Sequence, residues 1–212
     1  MSTTRDEILR RVREAIGPPA QDHAPAHAYR KRGALDLERR VALFCERVGE
    51  YRAEVQRCAE SEVAGVVASA CHARAARKLV VPPALPVAWR SDGLELVADD
   101  GLSARELDAF DGTITGCTVA VAETGTIVLT ASPTEGRRAL SLVPDLHVCV
   151  VGEQQVVEVL PEAFARIAEA GAERQPITFV SGPSATSDIE LSRVEGVHGP
   201  RDLVVLVVKE VS

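Results

Sequence analysis

Glu123-Thr124-Gly125-Thr126 is the first stretch whose residue types could do chemistry. It is one compact polar step within residues 113–130, flanked on both sides by β-branched apolar segments. A carboxylate wedged between such segments is costly to desolvate unless something uses or satisfies it. Gly125 can take positive φ or let a ligand approach the main chain, and Thr124 and Thr126 bring hydroxyls and amides beside it, so the turn can hold an anion. Taken alone, the step reads as a plain turn into a strand over 126–130, with Glu123 capping an amide. It becomes a site only in company.

Two further polar clusters supply that company. Ser181-Gly182-Pro183-Ser184 opens a loop that runs through Ser187, Asp188 and Glu190. The loop follows a strand read over 177–180 as buried, which places it at a strand's carboxyl end, where open α/β sheets bind ligands. Ser187 and Glu190 have capping-box spacing, so the loop is expected to end in a helix N-terminus with free amides. Ordinary capping explains Ser187, Asp188 and Glu190 but not Gly182-Pro183-Ser184. The third cluster, Gly196-Val197-His198-Gly199-Pro200, fixes a backbone path around one imidazole. A lone histidine is usually structural, and His147, at the start of an apolar strand, reads as a satisfied core residue. The three clusters are expected to meet in one pocket at the carboxyl ends of the strands, with Glu123 carried over the sheet by a crossing segment, 116–122.

The elements that must position these residues alternate. Thr4 and Glu7 open a first helix with Ile8, Val12 and Ile16 on one face, stopped by Gly17-Pro18-Pro19. Residues 1–33 therefore read as an N-terminal helix and a Pro-rich tether that packs peripherally or reaches a neighbouring subunit. Residues 34–212 read as one α/β domain: a helix over 35–48, a strand near 52–58, a helix from Ser61 to about Arg77 and a strand over 78–81. A short strand over 94–97 and a helix capped by Ser103 and Glu106 lead into residues 113–130. A strand over 147–151, a helix over 156–170 and a final strand over 203–208 complete the domain. The run over 147–151 is apolar at successive positions, as in a strand buried on both faces of a parallel sheet.

Composition bounds the function. The 212 residues suffice for one α/β domain with a proper core. Aromatics are only 3% and the net charge is −7 without a basic block, which argues against a nucleic-acid or anionic-membrane partner. No apolar run approaches the ~20 residues of a membrane helix, and no signal-peptide core opens the chain, so it is expected to be cytoplasmic. Cys45, Cys58, Cys71, Cys117 and Cys149 lack Cys-x-x-Cys spacing, and there is no Gly-x-Gly-x-x-Gly loop. The chain is therefore expected to carry no cofactor or metal of its own.

The order Glu123-Thr124-Gly125-Thr126, Arg138 with Ser141-Leu142-Val143-Pro144 and His147, Gly182-Pro183-Ser184 with Asp188-Ile189-Glu190, and Gly196-Val197-His198-Gly199-Pro200 resembles the lactate-utilisation protein C family, whose module is the LUD domain. The likeness covers about residues 113–208 and extends more weakly back to about residue 35. It implies a fold similar to the ribose-phosphate isomerase, glucosamine-phosphate deaminase and coenzyme A transferase group: three α/β/α layers around a mainly parallel sheet. It also implies a part in oxidising L-lactate to pyruvate beside iron–sulfur partner subunits, with a small anionic ligand. Cys117 stands where that family more often has a small residue such as alanine. Either Arg137 or Arg138 is the equivalent arginine.

Two functions follow. In the first, the chain is a soluble component of a lactate-oxidising system that borrows its redox centre from partners, with a homo-oligomer also possible. In the second, it is a stand-alone transferase or isomerase on a phosphorylated or acyl-CoA substrate. There Glu123 is nucleophile or general base, the Thr124–Thr126 amides and Arg138 hold the anion, and His198 donates a proton.

Overall fold

The computed structural model describes residues 4–17, 29–187, 193–195 and 199–209. Helix α1 (Thr4–Ile16) presents Ile8, Val12 and Ile16 as expected and buries none of them. Asp36 caps α2 (Leu37–Glu50), accepting the Arg39 amide at 2.9 Å, and Val41, Phe44 and Val48 form its buried stripe at i, i+3 and i+7. There follow β1 (Glu54–Ala59), α3 (Val63–His72), β2 (Lys78–Val81), β3 (Glu95–Ala98) and α4 (Ala104–Leu107), the last closed by the Ser103–Glu106 capping box. The chain continues through β4 (Gly112–Thr115), β5 (Val119–Val121), β6 (Thr126–Leu129), β7 (Leu146–Gly152) and β8 (Val156–Val157). It ends with α5 (Leu160–Glu169), β9 (Thr178–Val180), β10 (Ala185–Ser187), β11 (Arg193–Glu195) and β12 (Asp202–Lys209).

Among the described residues, six strands form a wholly parallel sheet in the order β1-β12-β7-β4-β2-β3. Its central strands divide their side chains by parity, because successive residues of a strand face opposite ways. Val204, Leu206 and Val208 of β12 pack with Val63, Val67 and Cys71 of α3. Leu203, Val205 and Val207 pack with Val41, Phe44 and Val48 of α2. The mainly parallel α/β sheet between helices is thus present, with one layer that the sequence reading lacked. A second sheet, β8-β5-β6-β9, shares the α2 side, its inner residues Ala120, Ala122 and Ile127 joining that core. Its outer residues Val119, Val121 and Val128 lie under Ala163 and Ile167 of α5.

This second sheet accounts for most departures from expectation. Residues 116–122 are not a bare crossing segment: Val119–Val121 is a strand that pairs antiparallel with β6. The helix expected from Val156 starts only at Leu160, because Val156 and Val157 pair with β5 and Pro161 favours the first turn of a helix. Strand β9 is neither buried throughout nor part of the parallel sheet, since it pairs antiparallel with β6 and leaves Phe179 46% exposed. Ser187 lies in β10, paired with Arg193 of β11, and the helix expected after it falls on residues 188–192, outside the described residues.

Residues at the proposed tether boundary dock on the domain. Glu158, 4% exposed, accepts the amides of Ala34 and Leu35 at 2.6 Å each and the Arg30 guanidinium at 2.6 Å. Gly33 packs so closely on Glu158 that a Cβ there would lie 2.3 Å from it. The segment from Arg30 onward is therefore clasped by a buried carboxylate.

His147 is the satisfied core residue expected: 1% exposed, with its Nε2 2.8 Å from the Thr115 hydroxyl. Burial pushes its pKa from 6.5 down to about 4. The unfolded chain then binds more protons than the folded one between those values, so stability is full above pH 6.5 and declines as pH falls toward 4. At about 1.4 kcal/mol per pH unit, urea unfolding should show a loss of about 2 kcal/mol between about pH 7.5 and pH 5 from this group. His147→Gln should remove that part of the slope.

Candidate functional site

The Glu123–Thr126 step forms the β5–β6 turn. Gly125 has a φ of +58°, and a Cβ on it would meet the Arg47 carbonyl carbon at 2.7 Å and the Val48 amide nitrogen at 2.8 Å. The turn is thus pressed on the last turn of α2. Its hydroxyls run in a chain: Thr124 Oγ1 to Thr126 Oγ1 at 2.8 Å, and Thr126 Oγ1 to Ser181 Oγ at 2.8 Å. The first and second polar clusters therefore do meet, through Thr126 and Ser181.

Ser181 borders an open cleft of about 230 Å³ that Arg138, Ser141, Thr178, Gly182 and Ser184 also line. Gly182 has a φ of +85°, and a Cβ there would lie 2.4 Å from Tyr51 Cβ, so only glycine fits. The Ser184 amide donates to the Pro200 carbonyl at 2.8 Å, which ties this loop to the approach to β12. Pro183 connects Gly182 to Ser184 without itself lining the cleft. Asp188 and His198 lie outside the described residues.

The two arginines separate cleanly. Arg137 forks onto Asp99, with Nε to Oδ2 at 2.6 Å and Nη2 to Oδ1 at 2.9 Å. That guanidinium, helped by the Gly101 and Leu102 amides, holds the Asp99 carboxyl below its usual range. Arg138 instead donates to the Thr178 hydroxyl at 2.7 Å and, among the described residues, is the only charged side chain lining the cleft. Thr178, on β9 opposite Leu129, was not distinguishable in the sequence from its strand neighbours. Only the antiparallel pairing of β9 turns it toward Arg138.

Two expectations need correction. Glu123 is not wedged in apolar surroundings: its side chain is 55% exposed and pairs with Arg30 at 2.8 Å, outside the cleft. The cleft is also at the opposite edge of the sheet from the one expected. Gly199 and Pro200 directly precede β12, and Ser141 and Leu142 precede β7, so it lies at the amino ends of these parallel strands.

A parallel six-stranded core, a second sheet folded over one face and a polar cleft at the amino edge together define a two-sheet α/β domain. The LUD domain matches residues 89–208, more than half of the chain. Lactate utilization protein C of Deinococcus radiodurans is 41% identical over 203 residues, which is 95% of this chain and 94% of that protein. A protein of the same name from Shouchella clausii is 35% identical over 115 residues, 53% of this chain and 50% of its own length. The crystal structure of a DUF162 family protein from Deinococcus radiodurans superposes with a TM-score of 0.73 at 39% identity, covering 82% of this chain and 99% of that one. The chain belongs to the lactate utilization protein C family, built on the LUD domain.

Gly125 and Gly171 offer a matched pair for testing how the turn is held. Both have left-handed φ, +58° and +65°, but nothing lies within 4 Å of a Cβ on Gly171. Alanine at either should cost about 1 kcal/mol in backbone strain. Gly125→Ala should cost about 1–3 kcal/mol more by urea unfolding, since the atoms it meets are backbone and cannot step aside.

Proposed function

We propose that this chain acts in lactate utilisation as a component of an L-lactate-oxidising system, and that it holds a small carboxylate, lactate or pyruvate, in the Arg138 cleft. The observation that carries this reading is a single guanidinium among hydroxyls in the described lining: one cationic fork for a carboxylate, with Thr178, Ser141 and Ser181 beside it for a hydroxyl or keto oxygen. The cleft excludes little water, so its task is binding and orientation.

Electron transfer is assigned in this reading to iron–sulfur partner subunits. The five cysteines have no cluster spacing, and among the described residues no group of three or more His, Cys, Asp or Glu side chains could hold a metal. The transferase reading requires Glu123 as a nucleophile in the cleft, whereas its carboxylate faces Arg30. No observation favours that alternative.

Thermal stability with and without lactate or pyruvate tests the proposal. A ligand at a hundred times its dissociation constant adds about 2.7 kcal/mol. Arg138→Ala should weaken the ligand about 10- to 100-fold, the measure of a lost charge-assisted hydrogen bond, and leave the melting temperature nearly unchanged. Arg137→Ala should do the reverse, lowering the melting temperature because Asp99 stays buried without its partner while the ligand-induced shift persists. Absence of any shift in the wild-type protein with either acid would sink the reading.

A further inference from the structure

A second cavity opens at the other edge of the sheet. Its volume is about 310 Å³, and its wall is made where the parallel strands end: Glu60 after β1, Gly116 and Cys117 after β4, Gly152 closing β7 and Val208 near the end of β12. Pro86, Trp89, Thr134, Val150 and Gln155 complete it. The carboxyl edge is where open parallel sheets most often place a ligand.

The cavity is built on fixed supports. Gln155 accepts the Gly152 amide at 2.7 Å and donates to the Cys117 carbonyl at 2.5 Å, so the backbone of the floor is satisfied. Thr134 is set at the rim by a loop that contains a left-handed non-glycine residue, Ala131 with φ +58°. Such strain persists only where the surroundings impose it. Here Glu135 imposes it: this 2% exposed carboxylate accepts the amides of Thr130 at 2.6 Å and Ser132 at 3.1 Å and the Thr118 hydroxyl at 2.7 Å. The Gly116 amide then donates to the Thr134 carbonyl at 3.0 Å. A Cβ on Gly116 would point at Thr134 Oγ1, 3.2 Å away, and at Trp89, 3.5 Å away, and would fill part of the space.

Among the described residues the lining has one sign of charge: Glu60 is its only charged side chain, and no arginine or lysine lines it. Arg90 turns to the Leu85 carbonyl, and Arg57 is taken by Glu38 and Glu153. Lys209 follows Val208 in β12 and so projects to the opposite face, where Glu38 feels it. The Cys117 thiol stays neutral, since its hydrogen bond with Cys149 and its burial raise its pKa well above the ordinary value.

We propose that this carboxyl-edge cavity binds an organic cation with a flat head group, an amidinium or guanidinium, seated between the Glu60 carboxylate and the indole of Trp89. The carboxylate supplies the counter-charge and the indole face adds cation–π attraction. Anions, the ligands of the Arg138 cleft, are repelled by Glu60 with nothing in the lining to offset it. The inference does not rest on the lactate reading, because the two cavities share no residue.

Trp89 is the only tryptophan, so intrinsic fluorescence reports on this cavity directly. The test titrates the full chain with benzamidine, benzamide and benzoate, which keep one ring shape and change only charge, with calorimetry in parallel. Benzamidine should bind about tenfold tighter than benzamide, and benzoate should bind more weakly than either. Glu60→Gln, an exposed substitution that leaves the fold intact, should reduce the benzamidine preference over benzamide to the roughly two- to threefold that the indole alone supplies, without altering the lactate-induced thermal shift. Equal affinities for the three probes, a preference for benzoate, an unchanged benzamidine preference in Glu60→Gln, or no response in heat and fluorescence to about 10 mM benzamidine would each overturn the proposal.

Discussion

Strands β7 and β12 pair over seven positions, from Leu146 opposite Asp202 to Gly152 opposite Val208, and every β12 side chain from Leu203 to Val208 enters an apolar layer. Such a pair satisfies its own backbone and leaves no room for unpartnered polar groups along its length. Chemistry is therefore displaced to its two ends. Helices α2 and α3 and the β5–β6 hairpin follow from the same constraint, since each covers one parity of the central side chains.

The two clefts carry opposite charge. Among the described residues, Arg138 is the single charge of the hydroxyl-lined cleft at the amino edge, and Glu60 is the single charge of the carboxyl-edge cavity walled by Trp89 and Val208. Nothing in the sheet itself creates this difference, because β-sheets carry only small net dipoles. It comes from which loops reach which edge, and those loops are held by buried carboxylates. Glu135 fastens the loop of Thr134, Asp99 fastens Arg137 next to Arg138, and Glu158 clasps the segment ahead of α2. Each carboxylate is surrounded by amides or a guanidinium that compensate its desolvation, so these groups set loop geometry and are not available as bases.

The sequence by itself determined the alternation of helices and strands, the capping box at Ser103, the doubly buried strand over 147–151, a final strand over 203–208, and the structural role of His147. Those signals are local: a period, a cap, an unbroken apolar run. It also marked Thr126, Arg138, Gly182 and Ser184 as residues worth bringing together, through their motifs. Tertiary structure alone decided where they meet. Antiparallel pairing of β6 with β9 puts Thr126 against Ser181 and carries the cleft to the amino edge, while β8 and β5 reshape what read as helix and crossing segment. Glu123 read as desolvated because its sequence neighbours are apolar, yet a hairpin tip turns outward, and burial is a property of where a turn lies, not of the residues beside it. For the same reason Glu135 and Glu60, unremarkable in their local sequence, acquire their roles only once distant strands end at the same edge.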